Sequence, residues 1–248
     1  MKLRLAVAKL ASCSGCIIEL VKCLVESSWL LEVYELGFFN LISDPADLSG
    51  HYDVAFIEGS ASTREHVELV RELRSRAGLL VALGSCALQG GLQAAAPVEG
   101  AGASHKPVVE LVEVDLALPG CPVSAEAVES LLAKYARGGL PIRLFESVCS
   151  ECKRRGLPCL LVLGRSACLG PLTISGCGAI CPSRGRGCYG CYGLKFFDLS
   201  KKSVEAFLSR LAELGFDAES AEFLVKAFSS REYSKLAGGT SAGREPRA

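Results

Sequence analysis

Leu3-Arg4-Leu5-Ala6-Val7-Ala8-Lys9-Leu10-Ala11-Ser12-Cys13-Ser14-Gly15-Cys16 opens the chain as an apolar, strand-like run that ends in two cysteines. The arrangement recurs. Leu79-Leu80-Val81-Ala82-Leu83 leads into Gly84-Ser85-Cys86, and Leu116-Ala117-Leu118 leads into Pro119-Gly120-Cys121-Pro122. Helical periodicity separates these runs. Residues 15–27 carry Leu20 and Leu24 on one face, residues 63–76 keep Val67, Val70 and Leu73 in phase, with Ala77 just beyond, and residues 124–137 begin at Ser124, a plausible N-cap. Residues 54–58 form a further apolar run, and residues 31–36 are expected to be the second strand. Strands alternating with helices predict a parallel sheet with helices on both faces. Such sheets bind ligands beyond the carboxyl ends of their strands. Cys13, Cys16, Cys86 and Cys121 are therefore expected to meet at one edge. Cys86 or Cys121 taken singly reads equally well as a small core residue; their joint placement with the Cys13/Cys16 pair favours a site. Glu58-Gly59-Ser60-Ala61-Ser62 ends another strand on that edge and is expected to line it without binding metal. Glu19, one turn after Cys16, reads either as a neighbour of the site or as an ordinary helix-face carboxylate.

Thirteen cysteines are present, and eight of them crowd the spacing Cys149-x2-Cys152-x6-Cys159-x8-Cys168-x8-Cys177-x3-Cys181-x6-Cys188-x2-Cys191. Iron–sulfur clusters take four protein ligands each, usually cysteine. Thirteen is three such sets and one residue over, which is assigned as Cys23. Disulfides fit poorly, because Met1-Lys2-Leu3-Arg4 runs straight into a strand with no signal peptide pattern. Zinc is a second alternative: Cys149-x2-Cys152 and Cys188-x2-Cys191 could close a ribbon. Zinc would leave Cys159, Cys168, Cys177 and Cys181 in need of another site.

Half the residues are apolar and the formal net charge is zero, so no overall basic field favours nucleic acid. The apolar runs fall far short of the roughly 20 residues that cross a bilayer, and no transmembrane segment is expected. Between Cys149 and Lys195 the one acid is Glu151, set against Lys153, Arg154, Arg155, Arg165, Arg184, Arg186 and Lys195. Cations and backbone N–H groups of this kind compensate a buried anionic cluster and tune its potential; a solvated basic surface explains them equally well. Glycines punctuate residues 164–193, leaving little room for regular structure, and metal ligation can replace a core there. Residues 157–163 read as a strand, and helical patterns return over 201–214 and 218–228. His51, His66 and His105 lie away from the cysteines, with surface or turn roles expected. No G-x-G-x-x-G or P-loop pattern occurs, so no nucleotide site is expected.

With these residues assembled, the chain resembles the small, electron-transfer subunit of nickel–iron hydrogenases over roughly residues 3–198. Cys13-Ser14-Gly15-Cys16, then Gly84-Ser85-Cys86 and Gly120-Cys121-Pro122, then Cys168-Leu169-Gly170-Pro171, Cys177 and Cys188-Tyr189-Gly190-Cys191 carry the likeness, in that order. The resemblance implies a proximal 4Fe–4S cluster on Cys13, Cys16, Cys86 and Cys121, facing a large subunit. It implies a medial cluster on Cys177, Cys188 and Cys191, and a distal cluster on Cys149, Cys152, Cys159 and Cys168. Cys149 stands where many members carry histidine, Cys181 offers the medial set a fourth thiol, and no twin-arginine leader is seen. These departures point to the cytoplasmic, archaeal-type branch, which includes the deazaflavin-non-reducing hydrogenases linked to heterodisulfide reductase and the sulfhydrogenases. The partners so implied are the large subunit and a diaphorase, heterodisulfide-reductase-type or other iron–sulfur protein. A quinone-side subunit of the complex I type is the nearest alternative, although its usual adjacent cysteines are missing here. The expected architecture is a flavodoxin-like α/β domain over residues 1–140, a loop-rich two-cluster domain with C-terminal helices over 141–236, and a disordered tail over 237–248.

Overall fold

The computed structural model describes residues 2–42, 44, 48–95, 105–141, 146–164 and 166–236. The tail expected over 237–248 and Arg165 lie outside the described residues. The chain divides into two compact units, one within Met1–Arg143 and the other within Leu144–Ser241.

The first unit is built on a sheet of five parallel strands in the order β2-β1-β3-β4-β5, the flavodoxin-like order. The strands are β1 (Leu3–Lys9), β2 (Tyr34–Phe39), β3 (Tyr52–Glu58), β4 (Ala77–Leu83) and β5 (Leu116–Leu118). Alternate side chains of each strand go to opposite faces, as the two-residue period requires. Leu5, Val7, Val54, Phe56, Val81 and Leu83 pack with Ile17 and Leu20 of α1 (Gly15–Glu26), and with Val128, Leu131 and Leu132 of a later helix at Ala125–Tyr135. Ala6, Ala8, Ala55, Ile57, Leu80 and Ala82 pack on the other face against Val70 and Leu73 of a helix at Arg64–Arg76. Both faces of the sheet are buried, so its strands read as continuous apolar runs rather than as alternating ones.

The second strand begins later than the sequence suggests. A helical turn, α2 (Leu30–Val33), precedes β2, and Tyr34 rather than Leu31 pairs with Leu3. Residues 30–39 are apolar enough for either register. What decides is that Leu30 and Tyr34 become buried while Leu31 stays in solvent; the buried Tyr34 hydroxyl then donates to the Leu132 carbonyl at 2.7 Å. The remaining helices of this unit are α3 (Arg64–Arg76), capped by Thr63, the short α4 (Gly84–Gln89) and α5 (Leu92–Ala95), and α6 (Ala125–Tyr135). Ser124 caps α6, accepting the Ala127 N–H at 3.1 Å, an interaction worth about 1 kcal/mol.

Register matters most for function. Lys9 pairs with Glu58, Glu58 with Leu83 and Leu83 with Leu118. The carboxyl ends of β1, β3, β4 and β5 therefore stop level with one another, and the loops after them open at a single edge.

The second unit begins with α7 (Val148–Arg154), contains the short α8 (Ile180–Ser183), and ends in α9 (Lys201–Glu213), α10 (Ala218–Lys226) and α11 (Ser230–Leu236). Val204, Phe207, Leu211, Ala221 and Val225 of α9 and α10 form its core with Leu169, Leu172 and Leu194. The strand expected at residues 157–163 is not formed; the segment turns instead, with the Leu163 N–H bonded to the Cys159 carbonyl at 3.0 Å. Pro158 cannot donate to a ladder.

Candidate metal centre

The level strand ends bring the first four cysteines together. Cys13 and Cys16 flank Ser14, whose φ of 67° swings the chain out of β1 and into α1. Cys86 lies in α4, which starts directly after β4, and Cys121 follows β5 within the Gly120–Pro122 turn. The thiols are close enough to act on one another: Cys86 and Cys121 on Cys16, and Cys13 on Cys86 and Cys121. Burial pushes the Cys16 thiol up to about 12, opposed by the Val123 N–H. It pushes Cys86 to about 11, and it also raises Cys121.

The lining of this edge is polar and ordered. Glu58, 2% exposed, ends β3. Its Oε2 accepts from the Ser12 hydroxyl at 2.6 Å, and its charge acts on Cys16, Cys86 and Cys121. Burial raises the Glu58 carboxyl, with Ser12 and Lys9 opposing. Gln93 sits 3.9 Å from Cys86 Sγ and donates to the Ser60 hydroxyl at 3.0 Å, which in turn lies 3.3 Å from His105 Nδ1. The 58–62 segment thus lines the site as its position predicts. Gln93 and His105 join it through side-chain contacts that no spacing announces. Glu19 lies 3.9 Å from Lys22, one turn further along the same helix. Cys23 is a core residue, 2% exposed among α1, α6 and the sheet.

Two glycines make room for sulfur. Gly84 sits at φ +75°, and a Cβ there would collide with Cys16 Sγ and lie 3.1 Å from the Gly120 carbonyl. A Cβ at Gly91 would lie 2.6 Å from Cys86 Sγ.

In the second unit, Cys149 and Cys152 are one turn apart on α7. With Cys159 and Cys168 they line one small cavity closed by Pro158, Leu160 and Pro171. Cys168 and Cys159 act on both Cys149 and Cys152, and burial pushes Cys149 up to about 11. Lys153 and Arg155 oppose that rise at Cys149 and Cys152 respectively, so these two cations of the basic segment face the thiols. Arg154 is instead paired with Glu146 at 2.6 Å, and Arg184 and Arg186 are exposed. Cys177 faces Cys181, and Cys188 faces Cys191. Burial pushes Cys188 up to about 12, opposed by the Gly190 N–H and the Thr173 hydroxyl. Cys188 also touches the preceding group, its N–H donating to Cys168 Sγ at 3.2 Å.

These donor sets fit iron–sulfur ligation. Thiols bind metal as thiolates; burial first, then neighbouring negative charge, raises Cys16, Cys86, Cys121, Cys149, Cys152, Cys177 and Cys188, and a bound iron–sulfur centre would supply the compensating positive charge. Among the described residues no three Cys, His, Asp or Glu side chains close on one point as a lone metal ion requires.

Fold and thiol edge together define an α/β protein with a candidate metal-binding edge. Residues 13–135 match the family described as "NADH ubiquinone oxidoreductase, 20 Kd subunit". The chain is 38% identical over 205 residues to the sulfhydrogenase 2 subunit delta of Pyrococcus furiosus, spanning 77% of this chain and 86% of that one. It is 26% identical to a vhu subunit of the F420-non-reducing hydrogenase of Methanocaldococcus jannaschii, over 78% of this chain and 82% of the relative. An NAD+-reducing [NiFe]-hydrogenase chain superposes with a TM-score of 0.50 at 30% identity, covering 57% of this chain and 95% of that one. A chain of the actinobacterial-type NiFe-hydrogenase of Ralstonia eutropha H16 shares the fold, with a TM-score of 0.61 at 16% identity over 77% of this chain and 78% of that one. The protein belongs to the nickel–iron hydrogenase small-subunit family.

Proposed function

We propose that this chain is the electron relay of a nickel–iron hydrogenase, passing electrons between the large subunit and a second redox partner. In this reading Cys13, Cys16, Cys86 and Cys121 hold a proximal 4Fe–4S cluster. Cys177, Cys181, Cys188 and Cys191 hold a medial one, and Cys149, Cys152, Cys159 and Cys168 a distal one. Each cluster, when bound, supplies one-electron redox chemistry, while the protein sets position, burial and potential. The observation that carries the reading is the convergence of four thiols from three separate loops at the carboxyl edge of the sheet. The glycine-made space around Cys16 and Cys86 and the cavity shared by Cys149, Cys152, Cys159 and Cys168 support it. The partner at the far end is a diaphorase, a heterodisulfide-reductase-type protein or another iron–sulfur protein. Thirteen free thiols favour a reducing compartment, the cytoplasm. Among the described residues no helix is long and apolar enough to cross a membrane.

Protein purified without oxygen should carry about twelve irons per chain and be brown, bleaching on reduction. About four irons would favour a single-cluster subunit of the complex I type, whose family match covers residues 13–135 alone. Zinc without iron would overturn the reading.

The large subunit should cover the proximal edge. Directly after Cys16, α1 presents Ile18, Val21 and Val25 to solvent at 63%, 42% and 70% exposure. These positions share a helix face, and a contiguous apolar stripe of this kind marks a protein contact. Ile18→Glu should weaken co-purification of the large subunit while leaving the iron content of the isolated chain unchanged. Undiminished assembly would place the interface elsewhere.

A further inference from the structure

Glu151 sits on α7 between Cys149 and Cys152, yet its carboxylate leaves that helix. Oε1 accepts the Gly176 N–H at 2.8 Å, and Oε2 accepts the Ala179 N–H at 3.1 Å. Oε2 also lies 3.8 Å from Cys177 Sγ. One carboxylate therefore brackets Cys177 from both sides. The loop it grips is strained: Ala179 stands at φ 53° and Gly176 at φ 130°, and a left-handed alanine persists only where its surroundings hold it. Arg155, on the turn that ends α7, donates to the Gly178 carbonyl in the same loop. The helix bearing two thiols of one set thus fixes the backbone around a thiol of the other.

We infer that Glu151 is a positioning residue: it orients Cys177 for ligation and, as a negative charge beside that sulfur, lowers the reduction potential of the centre Cys177 holds. The inference rests on the relay reading, in which Cys177 is a cluster ligand. Charge near a cluster and hydrogen bonds around its ligands are established determinants of potential. Two N–H bonds compensate the carboxylate, so it can sit where an added electron is disfavoured.

The test uses the hydrogenase complex purified without oxygen, wild type against Glu151→Gln and Glu151→Ala, with the signal that depends on Cys177 assigned by its loss in Cys177→Ala. Glutamine keeps the shape and one acceptor oxygen but removes the charge. Glu151→Gln should retain full iron, and the Cys177-dependent signal alone should titrate at a more positive potential. Glu151→Ala should speed amide exchange at Gly176 and Ala179 and lose iron from that centre. Unchanged potentials in Glu151→Gln, or an equal shift of every signal, would overturn the inference, because a purely structural role predicts no selective shift. Wild-type complex without any Cys177-dependent signal would sink the relay reading itself.

Discussion

Gly84→Ala should strip the proximal set of its iron, lowering the total from about twelve to about eight per chain. Two effects combine. Gly84 stands at φ +75°, where a side chain costs roughly 1–2 kcal/mol. The new methyl group would also occupy the space of Cys16 Sγ, and the Gly120 carbonyl, 3.1 Å from the same point, closes the other way out. Cys16 is buried and cannot swing into solvent, so the thiol leaves its ligating position. Gly138→Ala supplies the control. Gly138 has nearly the same backbone angle, φ +79°, but nothing lies within 4 Å of a Cβ there. The control should keep all its iron while losing a similar small amount of stability. Metal analysis with a thermal melt on both variants checks this; full iron in Gly84→Ala would show that the thiols at this edge are not cluster ligands.

Cys181→Ala should convert one centre to a three-iron cluster, leaving about eleven irons per chain and a raised potential at that centre. Cys181 lies on α8 and faces Cys177; in the proposed relay, Cys177, Cys188 and Cys191 alone would leave a corner of the medial cube without a protein ligand. Its backbone carbonyl accepts from the Arg184 and Arg186 N–H groups, each at 3.0 Å. Alanine preserves those bonds, so the loop keeps its shape and the thiol alone is lost. Electron paramagnetic resonance of the oxidised variant would show the three-iron signal beside two intact centres. An unchanged cluster inventory would remove Cys181 from the ligand set.

Relatives covering most of this chain make both variants informative beyond it. A glycine that makes way for the Cys16 thiol, and a thiol in the place of Cys181, are features to seek at the corresponding positions of those proteins.

Much of the molecule was legible in the residue order. Apolar runs ending in cysteine, separated by helical periodicity, determined a parallel α/β sheet, because both faces of such a sheet are buried and its ligand edge lies beyond the strand ends. Thiol counting marked Cys23 as the residue left over, and the structure buries it in the core of the first unit; the glycine-rich stretch after Cys159 marked a region short of regular structure. Tertiary structure decided the rest, since each remaining point turns on a choice that local sequence leaves balanced. Residues 30–39 could start a strand at either Leu31 or Tyr34, and the burial of Leu30 and Tyr34 chose. Residues 157–163 have strand composition but turn back through the Leu163-to-Cys159 hydrogen bond. Pairing of Lys9, Glu58, Leu83 and Leu118 at one level converts separate Cys-bearing loops into one site. Glu151, an ordinary acid between two cysteines in the sequence, reaches the Cys177 loop because folding closes a separation of 25 residues along the chain. Sequence determines which groups are available and how each segment prefers to run; only long-range packing decides which of them meet, because that energy belongs to pairs of segments and to neither one alone.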